Sequence, residues 1–145
     1  MSDDRLAPFR RTGGGFRPSK GEAFLRIAEI LAELSTCPDG ARHGGVIAVD
    51  NRIVATGYGY PPAGVDPCER CWLREKFAET GVKDFSVCPA HHAEHNALIY
   101  ARRAGVSVVG GVAYLTKAPC ADCRRGLVEA GIARVVTPEG EVALT

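Results

Sequence analysis

Apolar residues recur along this chain in two rhythms, and the alternation between them predicts its architecture. Phe24, Ile27, Ile30, Leu31 and Leu34 stand three and four apart, the spacing of one buried helix face. Ser19 and Glu22 form a Ser-x-x-Glu capping box at the start of that helix, and the run from Ser35 to Gly40 ends it. Gly44 to Val49 and Arg52 to Tyr58 are β-branched runs joined at Asp50-Asn51, a plausible hairpin turn. Gly57 to Gly64 cannot continue as strand, because Pro61 and Pro62 lack amide donors; an edge loop near a substrate is expected. Cys68 to Cys88 reads as an insertion with a short helix around Trp72 to Glu79 and a break at Gly81. Ala93 to Ala104 is expected as a helix stopped by Gly105, with Ala97, Leu98 and Ala101 on one face. A valine-rich strand from Val108 to Thr116, a helix from Cys120 to Ala130 and a strand from Ile132 to Val136 complete the series. Strand, helix, strand, helix, strand implies parallel pairing of the later strands through right-handed crossovers. The expected fold class is α/β: a three-layer α/β/α sandwich whose mixed sheet carries helices on both faces.

Length and charge narrow this picture. A chain of 145 residues has room for one domain with a full core and not for two ordinary ones. Residues 1–18 hold Arg10, Arg11, Gly13, Gly14, Gly15 and Arg17 with little apolar periodicity, so a flexible tail is expected before a single domain at 19–145. A nucleic-acid arm is the sharper alternative for those arginines. A net charge of +1 gives no basic stripe, which favours a small-molecule substrate over a nucleic-acid partner. No apolar run approaches the roughly 18 residues of a membrane span, and Met1-Ser2-Asp3-Asp4 lacks the order of a signal peptide. A cytoplasmic protein without a membrane partner is expected, and there six cysteines are better explained by metal than by disulfides.

The chemistry concentrates in His92-Ala93-Glu94 and Pro119-Cys120-Ala121-Asp122-Cys123. His92, Cys120 and Cys123 can hold zinc with three protein ligands and leave a fourth position for water, as in a catalytic site. Glu94 then need not bind metal and can move protons. A closed, purely structural zinc site is the alternative, but it requires a fourth ligand and leaves Glu94 unexplained. Cys120 and Cys123, three apart in a first helical turn, point to one side, where free amides favour thiolate. His92 and Glu94 are two apart and would diverge on a regular helix. They can serve one site only if His92 stands at the non-helical entry and Glu94 inside the first turn. The combined order His-x-Glu, then Pro-Cys-x-x-Cys, is the signature of zinc deaminases acting on nucleobases.

From about Arg17 to Pro138 the chain resembles the deoxycytidylate (dCMP) deaminase family, in particular its prokaryotic ComE-operon-like branch. The resemblance is carried by Arg17-Pro18-Ser19, Ser35-Thr36-Cys37, the hairpin from Asp50 to Tyr58, His92 to Leu98, Pro119 to Cys123, and Ala130 to Val136. It implies a cytidine-deaminase-like fold, hydrolytic conversion of dCMP to dUMP, a zinc cofactor and a homo-oligomer. Tyr58, Gly59, Tyr60, Ala93 and Pro119 are the expected substrate contacts. Two departures stand out: Gly59 where the family has asparagine, and Pro89 where it often has arginine.

Four cysteines are left over. Cys37, Cys68, Cys71 and Cys88 are expected to form a second, structural zinc site, with His91 in place of Cys37 as the variant. Four reduced, partly buried cysteines are the alternative. His43 reads as an ordinary loop histidine, with a place lining the pocket as the alternative; His95 faces the substrate or a subunit interface without a catalytic role, and Asn96 is expected to hold a loop around the site. Two other functions stay open. One is deamination of another aminated base, free or in a nucleic acid fed by Arg102, Arg103, Arg124 and Arg125; the other is a non-catalytic nucleotide-binding subunit.

Overall fold

The computed structural model describes residues 17–38, 40–82, 84, 88 and 90–144, so the expected tail falls almost wholly outside the described residues. Helix α1 (Lys20–Glu33) begins at the anticipated box: Ser19 Oγ accepts from the Glu22 N–H at 3.2 Å, and Glu22 Oε2 accepts from the Ser19 N–H at 3.1 Å. Strands β1 (Gly44–Val49) and β2 (Arg52–Tyr58) form the hairpin, and Asp50 and Asn51 turn it with φ of 51° and 60°. That left-handed pair is what a two-residue type I′ turn requires.

After α2 (Trp72–Thr80) and α3 (Ala93–Ala104) come β3 (Val112–Leu115), α4 (Ala121–Glu129), β4 (Arg134–Thr137) and β5 (Gly140–Ala143). The sheet order is β2-β1-β3-β4-β5. β3 and β4 pair in parallel across α4, as expected, while the other neighbours are antiparallel. α1 covers one face of the sheet and α3 with α4 the other, which gives the three-layer sandwich of a cytidine-deaminase-like fold.

Strand alternation divides the core. Val46 and Ala48 of β1 and Tyr114 of β3 meet Phe24 and Ala28 of α1, where the Phe24 and Tyr114 rings pack edge to face at 5.2 Å. Ile47, Ala113 and Leu115 point the other way, onto Ala97, Ala101 and Leu127.

Three expectations need correction. Ile30 and Leu34 are 60% and 58% exposed, whereas Ala28 is fully buried. α1 lies so near β1 that a Cβ on Gly44 would stand 2.1 Å from the Ala28 carbonyl oxygen, so Ala28 faces the closest approach, Phe24, Ile27 and Leu31 pack around it, and Ile30 and Leu34 fall outside. Val108–Gly111 is a turn and not strand, since Gly110 has φ 76° and the Gly111 N–H bonds back to the Val108 carbonyl at 3.0 Å. β5 was not foreseen: its residues are all exposed, so no apolar alternation announces it.

The start of β1, the end of β2, the end of β3 and the first turns of α3 and α4 all gather at one end of the sheet. Gly57 permits this. A Cβ there would lie 2.1 Å from the Ala93 carbonyl oxygen, so only glycine lets β2 press against the first turn of α3.

Candidate active site

His92 is the N-cap of α3, with extended backbone (φ −73°, ψ 161°), and Glu94 lies inside the first turn. This is the arrangement that reconciles their spacing of two with a common site. Cys120 is the N-cap of α4, and its sulfur accepts from the Cys123 N–H at 3.5 Å. Two helix starts therefore aim their caps at each other. His92 Nδ1 stands 3.6 Å from Cys120 Sγ and 3.4 Å from Cys123 Sγ, and one ligand atom from each residue lies within 4.8 Å of the others. Zinc bonds of about 2.3 Å to sulfur and 2.0–2.1 Å to nitrogen, at tetrahedral angles, place nitrogen and sulfur about 3.6 Å apart. The donor set and its spacing fit that ion.

The protonation states agree. Burial pushes the His92 imidazole below its ordinary value, which keeps a neutral ring with a lone pair for metal. Burial, then the Glu94 charge, then Cys120 push the Cys123 thiol upward, so without a cation the sulfur keeps its proton. Metal binding is thus coupled to proton release.

Glu94 is only 2% exposed. Burial is the strongest influence on its carboxyl and raises it, but the hydrogen bond and charge of His43 prevail and hold it below the usual carboxylate value. Its Oε1 lies 2.7 Å from His43 Nε2, while Oε2 is buried with no hydrogen-bond partner among the described residues. His43, read from sequence as an ordinary loop histidine, is therefore part of the site. The signal available was its place directly before β1, at the end of the sheet where the other residues assemble.

The sequence matches the family model for the cytidine and deoxycytidylate deaminase zinc-binding region over residues 18–139. The chain belongs to that family. The deoxycytidylate deaminase of Mycobacterium phage D29 is 39% identical over 127 residues, covering 85% of this chain and 97% of the phage protein. ComE operon protein 2 of Bacillus subtilis is 31% identical over 125 residues, covering 85% of this chain and 61% of its own. Among solved structures, the dCMP deaminase of cyanophage S-TIM5 in complex with dCMP and dUMP aligns with a TM-score of 0.66 at 26% identity, over 84% of this chain and 82% of its own. The chain is accordingly a zinc-binding deaminase, an enzyme of the hydrolase class.

In this deaminase the loop after β2 is fastened to the site from several sides. Asn96, buried in α3, donates from Nδ2 to the Tyr58 carbonyl at 2.7 Å and to the His91 carbonyl at 3.3 Å. Ser35 Oγ donates to the Gly59 carbonyl at 2.7 Å, and the Gly59 N–H to the His43 carbonyl at 3.2 Å. Tyr60 and His91 exchange backbone bonds of 3.3 and 2.9 Å. Asn96 thus holds the loop as expected.

A cavity of about 360 Å³ opens between α3 and α4 over the three ligands, walled also by His91, His95 and Arg125. The His91 and His95 rings stack there at 5.2 Å. Tyr58, Gly59, Tyr60, Ala93 and Pro119 do not line this cavity; Ala93 is fully buried, and the Tyr58 and Tyr60 rings pack on each other at 5.3 Å.

The remaining cysteines behave differently. Cys37, Cys68, Cys71 and Cys88 are all half-buried thiols, yet no three of them, with or without His91, bring ligand atoms within 4.8 Å of one another among the described residues. They are still neighbours. Burial pushes the Cys88 thiol up, a hydrogen bond with the Ala90 backbone opposes it, and the charges of Cys37, Cys71 and Cys68 add to the rise.

Proposed function

We propose that this chain converts dCMP to dUMP by hydrolytic deamination, with His92, Cys120 and Cys123 holding the catalytic zinc and Glu94 moving the protons. One observation carries the reading: a buried carboxylate with one oxygen unpartnered, next to three convergent ligand atoms. The names of the phage D29 relative and of the cyanophage enzyme with its bound nucleotides support the substrate. His92, Cys120 and Cys123 would hold a zinc whose chemistry is to lower the pKa of water from about 15.7 toward 7, which would make hydroxide available at neutral pH. Glu94, kept ionised by His43, takes the first proton from water and delivers it to the ring nitrogen as the water oxygen bonds to the amino-bearing carbon; it then takes the second proton from that hydroxyl and gives it to the amino group, which leaves as ammonia as the carbonyl forms. Outside the cavity between α3 and α4, the loop of Tyr58, Gly59 and Tyr60, fixed by Ser35 and Asn96, is assigned to the nucleotide as a second wall, with Ala93 and Pro119 beside the starts of the two helices.

Cys37, Cys68, Cys71 and Cys88 are assigned to a second, structural zinc, with His91 as the variant ligand. The Cys-x-x-Cys spacing, the mutual influence of the thiols and the fact that α2 buries no residue all support a metal staple here. Residues 19–145 act as a single deaminase domain in a cytoplasmic homo-oligomer. No described helix is long and apolar enough to cross a membrane.

Ammonia release from dCMP, deoxycytidine, dCTP and short cytosine oligomers tests the substrate, and the monophosphate is expected to be turned over fastest. Preference for the nucleoside or the oligomer would overturn it. Glu94→Gln is expected to lower kcat by roughly 10²–10⁴-fold with zinc content unchanged; full turnover in that variant refutes the role of Glu94.

A further inference from the structure

His43 belongs to none of the motifs that identify the site, yet it is what holds Glu94. Its position follows from the sheet. Gly45 pairs with Leu115, and the β1–β3 ladder continues one residue further, with the Thr116 N–H donating to the Gly44 carbonyl at 3.1 Å. The next residue back, His43, thereby reaches the Thr116 side chain, and its Nδ1 lies 2.8 Å from Thr116 Oγ1. The Gly44 N–H donates to the same hydroxyl oxygen at 3.1 Å. For a neutral imidazole the donors and acceptors then close in one sense. Gly44 N–H fills the Thr116 oxygen, the Thr116 O–H donates to Nδ1, and Nε2–H donates to Glu94 Oε1 at 2.7 Å. The His43 carbonyl is also held, accepting the Gly59 N–H at 3.2 Å, so ring and backbone are both anchored.

A glutamate side chain has three rotatable bonds, and a carboxylate that swings between poses spends little time where a proton can transfer. In this site one oxygen is taken and the other, buried Oε2, has no partner among the described residues. We propose that His43 is a positioning residue for the deamination: by capturing Oε1 it locks Glu94 in one pose and assigns proton transfer to Oε2, with Thr116 fixing the imidazole tautomer. This rests on Glu94 being the proton carrier.

The test compares His43→Leu, His43→Gln and Thr116→Val with the parent enzyme. Readouts are kcat and KM for dCMP, zinc per chain, and the His43 ring tautomer by ¹⁵N NMR. His43→Leu is expected to lower kcat by roughly 10- to 100-fold with KM and zinc content nearly unchanged, the size of effect that misplacing a reacting group produces. Gln, whose side-chain N–H reaches where Nε2 stood, should restore most of that loss. Thr116→Val should slow kcat severalfold and shift His43 from the Nε2–H tautomer. Parental kcat in His43→Leu, equal losses in Leu and Gln, or a loss that tracks missing zinc overturns the proposal. If His43→Leu does not fold, Thr116→Val decides: unchanged kcat with an unchanged tautomer overturns it. The two readings separate cleanly, because an inactive Glu94→Gln beside a fully active His43→Leu sinks only the inference about His43.

Discussion

Two groups of cysteines occupy this chain, and their contrast shows what makes a metal site preformed. Cys120 and Cys123 share the first turn of α4, a helix docked on the sheet, and His92 caps α3, docked beside it. Packing against a buried core fixes both helix starts, so the ligand atoms converge. Cys68 and Cys71 precede α2, which buries none of its residues, and Cys88 follows it outside the named helices and strands. α2 buries nothing that would anchor it to the core, and among the described residues the thiols lie near one another without converging. A metal would complete the first site, and would have to assemble the proposed second one.

The largest effect that tests this contrast is Cys123→Ser. The catalytic zinc should be lost and turnover fall to background, while the far-ultraviolet circular dichroism and the fold persist, because the core holds the site without metal. A collapse of the fold would show that the first site, too, needs its ion to form. Cys71→Ser should do the reverse: zinc per chain, measured by atomic emission, falls from two to one and the thermal midpoint drops, because structural zinc contributes folding energy directly. If the parent protein carries a single zinc when fully loaded, the second site does not exist.

Smaller effects sharpen the comparison. Gly57→Ala puts a methyl 2.1 Å from the Ala93 carbonyl oxygen and should cost about 1–3 kcal/mol as β2 is forced off α3. The denaturant midpoint reads this, and kcat should fall with it because His92 and Glu94 start at that contact. Asn96→Ala releases the Tyr58 and His91 carbonyls and should cost a comparable 1–3 kcal/mol, about the price of leaving buried partners unpaired. Its signature is faster hydrogen exchange confined to the loop after β2.

The smallest effect is one of pH on metal-free protein. The Glu94 carboxyl is held below its ordinary value of 4.5, so its contact with His43 stabilises the fold fully above that value and is lost as pH falls through the depressed one. The stability gap between the parent and Glu94→Gln should close on acidification. A gap that widens at low pH would contradict the direction of the shift.

The sequence made the metal ligands and Glu94 legible because each pair is local: two residues apart at one helix start, three apart at another. The capping box at Ser19, the hairpin turn at Asp50-Asn51 and the stops at Gly81 and Gly105 were readable for the same reason. His43 was not. Its partner Thr116 lies 73 residues away, and only the register between β1 and β3 brings them together. Ile30 and Leu34 keep the helical rhythm but fall outside a contact narrowed by Gly44, a fact of distance and not of pattern. β5 forms through backbone pairing with β4 in a hairpin turned at Pro138-Glu139, and its side chains give no periodic signal.

The Asp50-Asn51 turn sits at the opposite end of β1 from His43, a full strand away from every residue given a chemical role. A reporter peptide or a fluorescent label spliced between those two residues would extend a tip that already bends away from the chemistry. Such a graft would let the enzyme be tethered, counted or imaged while it works, with the reacting groups left undisturbed.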